Sequence, residues 1–495
     1  MYMTIDTRSI ESYRMFLKVK RLPTYRIKGH ELWFPDEYAS RIGLHELDES
    51  WSNEIVTHES SFDYQAGITR LAVEKEKFAV FMDCGYGKTL TMLDYSRNAL
   101  MRLPQDKCGL IVSPLMVVEQ TANECRKFFG DDLPIEVVPS GDLEQWLESG
   151  SGRLGITNYE AFKGDEPMKR GRLGMLALDE SSMLKSHYGH YGTKIIELGR
   201  GLRWKLALTG TPAPNDRIEY ANHAVFLDHF PTVNSFLARY FVNRGQTQER
   251  WELKPHALEP FYRSLSHWCI FLSNPSTYGW KDNTTSIPPM HVHIEHVELT
   301  DEQNAAVREL TGMLVVTNSG GIAQRGKIAQ IAKGRHKGGD VETLKPEYIR
   351  QRIATHADES TIIWCKYNPE QEHMASLFPD CANIDGGTPL ETRRKMIADF
   401  QSGRTKILIS KPKILGLGLN LQIATRHWFS TLQDSYEEYY QAIKRSNRVG
   451  STKDLHVHIP VTEIELPMVE NVLRKAKDVQ KDTDYQERLF RNVAI

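Results

Sequence analysis

The sequence predicts an α/β protein made of two tandem parallel-sheet lobes with helical insertions, preceded by a small accessory region. Three observations predict it. Phe78 to Met82 is an apolar run of strand length, followed by a short glycine-containing loop and the helical periodicity of Leu90 to Leu103. Further apolar runs at Gly109–Ser113, Leu154–Thr157, Met175–Leu178 and Lys205–Thr209 alternate with helical stretches, which implies a doubly wound parallel sheet. A second such series follows the break at Ile287-Pro288-Pro289: Thr361–Trp364, Ala382–Ile384, Lys406–Ser410, His427–Ser430 and Leu455–Ile459.

Length and composition agree. A chain of 495 residues is too long for one core, and 40% hydrophobic with 25% charged residues is ordinary for a globular protein. The 62 basic and 64 acidic residues give a net charge of -2, so a nucleic-acid partner must meet a local basic groove. Six scattered cysteines without a Cys-x-x-Cys pair favour reduced thiols over disulfides or structural zinc. No run of about 18 apolar residues suggests a membrane span, and the polar N-terminus does not read as a secretion signal. An intracellular, cytoplasmic protein is expected.

Taken in order, residues 1–55 form the accessory region. Thr24–Ile27 and Glu31–Phe34 read as a hairpin around Lys28-Gly29-His30, and Lys18, Lys20, Arg21, Arg26 and Lys28 make this piece basic. Aromatic residues interleave these charges, a pattern that suits either a nucleic-acid contact or a solvated face over a small core. The first lobe spans 56–288. Gln65 opens a helix upstream of Cys84-Gly85-Tyr86-Gly87-Lys88-Thr89, a shortened phosphate-binding pattern with Met82 in the place of its first glycine. Gly85 and Gly87 let backbone N–H groups approach phosphates, and the helix N-terminus adds favourable dipole charge. Lys88 reaches the β/γ-phosphates, and the Thr89 hydroxyl is a Mg²⁺ ligand.

In a parallel sheet, ligand-handling loops lie at the carboxyl ends of the strands. There the sequence has Ser113-Pro114, Thr157-Asn158-Tyr159-Glu160, Asp179-Glu180 and Thr209-Gly210-Thr211-Pro212. An Asp-Glu pair ending a strand is common in itself. Following Lys88 in this order, Asp179 reads as the Mg²⁺ holder and Glu180 as the group that orients or deprotonates the attacking water. Residues 216–288 read as a helical insertion.

The second lobe spans 289–495. Thr300 caps a helix start at Asp301, and the glycine- and cation-rich segment 319–340 reads as a mobile basic insertion. The spacing of Gln441, Arg445 and Arg448 sets them on one face of a helix. His291, His293, His296, His456 and His458 follow strand alternation, which explains them better than a metal site does. Residues 467–495 read as helical and charged.

Gln65, Gly85 to Thr89, Ile156 to Glu160, Asp179 to Ser182, Leu208 to Asn215, Gly416 to Leu421 and Gln441 to Gly450 resemble, in order, the motifs of superfamily 2 helicases. The Leu208–Asn215 segment most resembles the Swi/Snf branch of DNA-dependent ATPases. The resemblance covers about residues 58–475 and implies two RecA-like lobes that hydrolyse ATP with Mg²⁺ at their cleft. It further implies adenine contact by Gln65, a nucleotide-proximal or lobe-coupling role for Gly418 and Asn420, and nucleotide contact by Gln441. Arg445 and Arg448 are implied as arginine fingers. Ser182, Leu415 and Lys444 depart from the family pattern, which has histidine at the first position and glycine at the other two. These changes bear on coupling more than on hydrolysis. The implied activity is translocation along duplex DNA by a monomer, with RNA left open as a partner. The alternatives are a strand-separating DNA or RNA helicase and a slow nucleotide-gated scaffold. With no appended chromatin-reading modules, a bacterial, archaeal or viral source is expected.

Overall fold

Strand Lys77–Met82 shows in miniature why the first lobe folds as it does. Its alternate residues Phe78, Val80 and Met82 join one buried apolar cluster while Ala79 and Phe81 join another, so both faces of the strand are covered. A continuous apolar run, rather than an alternating one, is what a sheet buried on both faces demands. Burying each large side chain contributes about 1.5–3 kcal/mol. In this computed structural model the described residues are 1–22, 25–34, 38–39, 42–44, 55–163, 166–184, 190–213, 216–245, 250–281, 287–317, 322–415, 419–432, 435–448 and 451–494.

The first main sheet has seven strands, all parallel, in the order Cys269–Leu272, Lys77–Met82, Trp204–Thr209, Leu173–Asp179, Cys108–Ser113, Leu154–Asn158 and Ile135–Val137. The phosphate-loop strand therefore lies beside Trp204–Thr209, which in turn lies beside the strand that ends in Asp179. The second main sheet has six strands, again all parallel: Met290–His296, Leu455–Val461, Arg426–Phe429, Thr361–Trp364, Ile407–Ser410 and Ala382–Asn383. Ile362 and Trp364 enter one core, and Ile363 enters the other with Ile349, Ile353 and Met374.

The chain divides into two units, Met1–Asn283 with Lys481–Ile495, and Thr284–Gln480. Residues 481–495, read with the second lobe in the sequence, thus group with the first. In the accessory region Arg26–Lys28 pairs with Glu31–Trp33 as a hairpin, Lys28 lying in the strand and Thr24 outside the described residues, and Tyr2–Thr4 adds a third antiparallel strand. Tyr38 is buried there and its hydroxyl bonds His229 Nδ1 at 3.1 Å, seating the region on the first lobe.

Three local expectations need correction. Residues 216–288 are not purely helical: Phe241–Asn243 pairs with Trp251–Leu253, and Cys269–Leu272 extends the main sheet. The described part of the basic insertion is helix Ile322–Ala332 followed by a two-residue ladder, because Ala329, Ile331 and Ala332 bury an apolar face. The helix that begins at Tyr436 stops at Ile443, so Arg445 and Arg448 follow it in turns rather than sharing its face with Gln441. Leu421 N–H donates to Arg445 O at 2.9 Å, a loop contact that continued helix would forgo.

Candidate nucleotide site

The phosphate loop is fixed from both sides. Gly87 has φ of +80° and serves as N-cap of helix Lys88–Arg102, and a Cβ there would lie 2.1 Å from Gln65 Nε2. Glycine is required on both counts. Gln65 is buried; its Oε1 accepts from Phe62 N–H at 2.9 Å and its Nε2 donates to Tyr86 O at 2.9 Å. Tyr64 donates its hydroxyl to the same carbonyl at 3.1 Å, and Tyr86 donates its own hydroxyl to Ser273 O at 2.9 Å. Gly85, with φ of +94°, completes the turn. Lys88 Nζ folds back onto Met82 O at 2.8 Å and Asp83 O at 3.2 Å. Thr89 stands in the first turn of the helix, beside Lys88.

The acidic pair is equally constrained. Asp179 ends its strand and accepts from Ser113 Oγ at 2.8 Å. Desolvation, and then the neighbouring Glu180 charge, push its carboxyl up to about 6, although Ser113 and Lys88 pull the other way. Glu180 sits in the left-handed region with φ of +52°. A non-glycine residue there stores about 1–3 kcal/mol of strain, and such residues cluster at functional sites. Its Oε1 accepts from Thr209 Oγ1 at 2.6 Å and Ser182 Oγ at 2.9 Å, while Thr209 Oγ1 also accepts from Thr211 N–H at 3.0 Å. Ser182, at the position where the resembled family has histidine, is thus a direct partner of Glu180. Tyr159 donates to Asp179 O at 2.7 Å, tying the Ile156–Glu160 motif to the same corner.

In the second unit Gln441 and Arg445 are buried, with Arg445 Nε donating to Gln441 O at 3.2 Å and Gln441 Nε2 to Glu437 Oε1 at 3.3 Å. Arg448 is half-buried after them. Asn420 is exposed; its side chain accepts from Gln422 N–H at 3.2 Å, and its carbonyl accepts from Gln401 Nε2 at 2.6 Å. Gly418, and Asn215 of the Leu208–Asn215 motif, lie outside the described residues.

Gln65, Gly85, Gly87, Lys88, Asp179 and Glu180 therefore converge in one lobe, and Asn420, Gln441, Arg445 and Arg448 gather in the other. Sequence reasoning marked the strand ends that carry Ser113, Tyr159 and Thr209, but not that Ser113 holds the Asp179 carboxylate, Tyr159 the Asp179 carbonyl and Thr209 the Glu180 carboxylate. The histidines form a ladder across adjacent strands. His291 faces His456 and His293 faces His458, with ring centroids 5.0 and 4.7 Å apart, and His458 Nδ1 meets Glu295 at 2.6 Å. Among the described residues no cluster of three His, Cys, Asp or Glu groups is placed to hold a metal, and all six cysteines are free. No described helix is long and apolar enough to cross a membrane.

The SNF2-related domain model matches residues 79–358, and the Helicase conserved C-terminal domain model matches residues 344–450. The chain is 23% identical over 460 residues to "Putative protein p41" of Acyrthosiphon pisum secondary endosymbiont phage 1, covering 85% of this chain and 96% of that protein. It is 22% identical over 450 residues to Zorya protein ZorD of Escherichia coli O139:H28, covering 79% of this chain but only 41% of the relative. Among solved structures it is similar to the Sulfolobus solfataricus SWI2/SNF2 ATPase core in complex with dsDNA, at 18% identity and a TM-score of 0.38, over 88% of this chain and 96% of that one. With the SNF2-related model covering more than half of its length and the ordered motifs gathered in two parallel-sheet lobes, the chain belongs to the SNF2-related family of superfamily 2 helicases and is a nucleic-acid-dependent ATPase.

Proposed function

We propose that this protein is an ATP-driven motor that tracks along duplex DNA, hydrolysing ATP where its two lobes meet. The observation that carries the reading is the corner formed by Lys88, Asp179 and Glu180, in which a phosphate-loop lysine faces a desolvated carboxyl and a strained, twice-hydrogen-bonded glutamate. Lys88 exchanges its carbonyl contacts for the β/γ-phosphates. Gln65 keeps the loop in register through Tyr86 and offers its amide to the adenine edge. Asp179 carries more buried negative charge than its surroundings balance, so a divalent cation fits it; Thr89 and Asp179 would hold Mg²⁺, which when bound neutralises phosphate charge. Glu180, aimed by Thr209 and Ser182, orients the attacking water and takes its proton. Arg445 and Arg448 supply a planar positive fork to the transferring phosphoryl group. Gln441 and Asn420, with Gly418, link the second lobe to the nucleotide.

An ATPase assay with duplex DNA, single-stranded DNA and RNA as activators tests this directly. Strongest stimulation by duplex is expected. Stimulation by RNA alone, or none by any nucleic acid, would overturn it.

A further inference from the structure

The second lobe has a cavity of about 660 Å³ whose lining includes none of the motif residues named above. That size is ordinary for small-molecule sites. Its walls include Tyr367 and Ser430, which follow strands Thr361–Trp364 and Arg426–Phe429, so it lies at the carboxyl ends of a parallel sheet. Helices Lys345–Ala354 and Asn368–Leu377 both begin at its wall, and helix N-termini favour anions.

Most charges lining it are already committed. Lys345 pairs with buried Glu465, and Arg335 with Asp340 at 2.5 Å. Glu370 accepts from the backbone N–H groups of Lys366 and Tyr367 at 2.9 and 3.2 Å and from Thr431 Oγ1 at 2.6 Å. Asp340 and Glu342 are solvent-exposed, where screening weakens them. Lys333 differs. Its ammonium lies 5.2 Å from the Tyr367 ring centre, and no described residue accepts a hydrogen bond from it or pairs with it. Desolvation lowers its proton affinity to about 8 despite the nearby charges of Glu370 and Glu465, with Lys345 and Lys366 adding to the fall. Lys333 is thus a half-buried cation with carboxylates nearby but no hydrogen-bonded or ion-paired acceptor among the described residues, and it faces a cavity onto which two helix N-termini open.

We infer that this cavity binds a small phosphate-bearing ligand of up to mononucleotide size, with Lys333 as its charge partner. A phosphate dianion would meet the lysine and the N-terminus of helix Lys345–Ala354, while that of Asn368–Leu377 already carries the Glu370 carboxylate. The recessed position of the cation suits a discrete ligand better than a duplex backbone, which would need charges standing on an open groove.

The test uses the intact wild-type chain and pyridoxal 5′-phosphate, a phosphate-bearing aldehyde, at pH 8. A neutral lysine amine adds to the aldehyde carbon and water leaves; borohydride then reduces the C=N bond to a stable secondary amine, which peptide mass mapping locates. Lys333 should be modified ahead of exposed lysines such as Lys337. Inorganic phosphate or a nucleoside monophosphate at about ten times its dissociation constant should slow that modification about tenfold. Lys88, followed in the same digest, reports the motor site separately. The inference fails if Lys333 is not preferentially modified, or if no small phosphate compound protects it. Protection by duplex DNA alone also overturns it and places Lys333 on the nucleic-acid track.

Discussion

Glu180 and Asp179 are adjacent in sequence yet held by different means, and the difference sets what each substitution does. Asp179 stays charged against its surroundings: its folded carboxyl titrates near 6, above its ordinary value of 3.8. A raised carboxyl costs stability wherever it is ionised, so the cost is present above pH 6 and fades as pH falls through that value. Asp179→Asn, which keeps an acceptor for Ser113, should raise the melting temperature at pH 8, do little near pH 4.5, and abolish ATP turnover at both. A variant that melts lower at pH 8 would show that this carboxylate is stabilised rather than strained. Lys88→Ala is the complementary case. It removes two hydrogen bonds to carbonyls, worth about 1 kcal/mol each, so melting should fall by only a few degrees while turnover disappears. Near-normal turnover would remove this loop from the chemistry.

At the scale of elements, the phosphate loop is supported by a contact from the far end of the chain. Glu487, on the C-terminal helix, accepts from Ser273 N–H at 2.5 Å and from Ser273 Oγ at 2.8 Å, and the Ser273 carbonyl holds Tyr86. Glu487→Ala removes the acceptor of those half-buried donors, at a cost of about 1 kcal/mol per hydrogen bond, and should loosen the loop. Nucleotide affinity should fall severalfold, and Glu487→Gln, which keeps an acceptor oxygen, should restore most of it. Fluorescent-nucleotide titration separates the two variants, and equal affinity in both would unlink the helix from the loop. No sequence signal could have shown this pairing, since Ser273 and Glu487 lie in segments with no common motif. Other features were legible because they are local: the apolar runs at Phe78–Met82 and Met175–Leu178, and the glycines at 85 and 87. Strand Cys269–Leu272 was obscured by the helical, aromatic-rich segment around it, and its four residues offer little periodicity to read. The helix stop at Ile443 was hidden because the spacing of Gln441, Arg445 and Arg448 suits a helix that tertiary contacts to Leu421 end early.

At the scale of the whole molecule the proposed motor makes two demands on the chain. The first concerns residues far apart in sequence: Arg448 should act on the transition state and little on initial binding. An arginine finger is worth on the order of 10³ to 10⁵ in turnover, so Arg448→Ala should cut kcat at least about a hundredfold with ATP affinity changed only a few-fold. Arg448→Lys should rescue poorly, because a point charge lacks the planar fork. The second demand concerns charge. With a net charge of -2 the molecule cannot attract DNA as a whole, so binding has to come from lysines and arginines gathered in one groove. Each phosphate so neutralised releases counter-ions, and the logarithm of the duplex affinity should fall linearly with the logarithm of salt, with a slope near -0.9 per phosphate contact. Half-maximal stimulation of the ATPase should shift to higher DNA concentration along the same line, while kcat at saturating DNA stays nearly constant, since Lys88, Asp179 and Glu180 do not contact the duplex in this mechanism. Measuring activation curves between about 50 and 200 mM salt distinguishes the two effects. A flat salt response would mean that nucleic acid is not held through its backbone. A fall in saturated turnover as steep as the fall in affinity would mean that salt acts on the nucleotide corner itself.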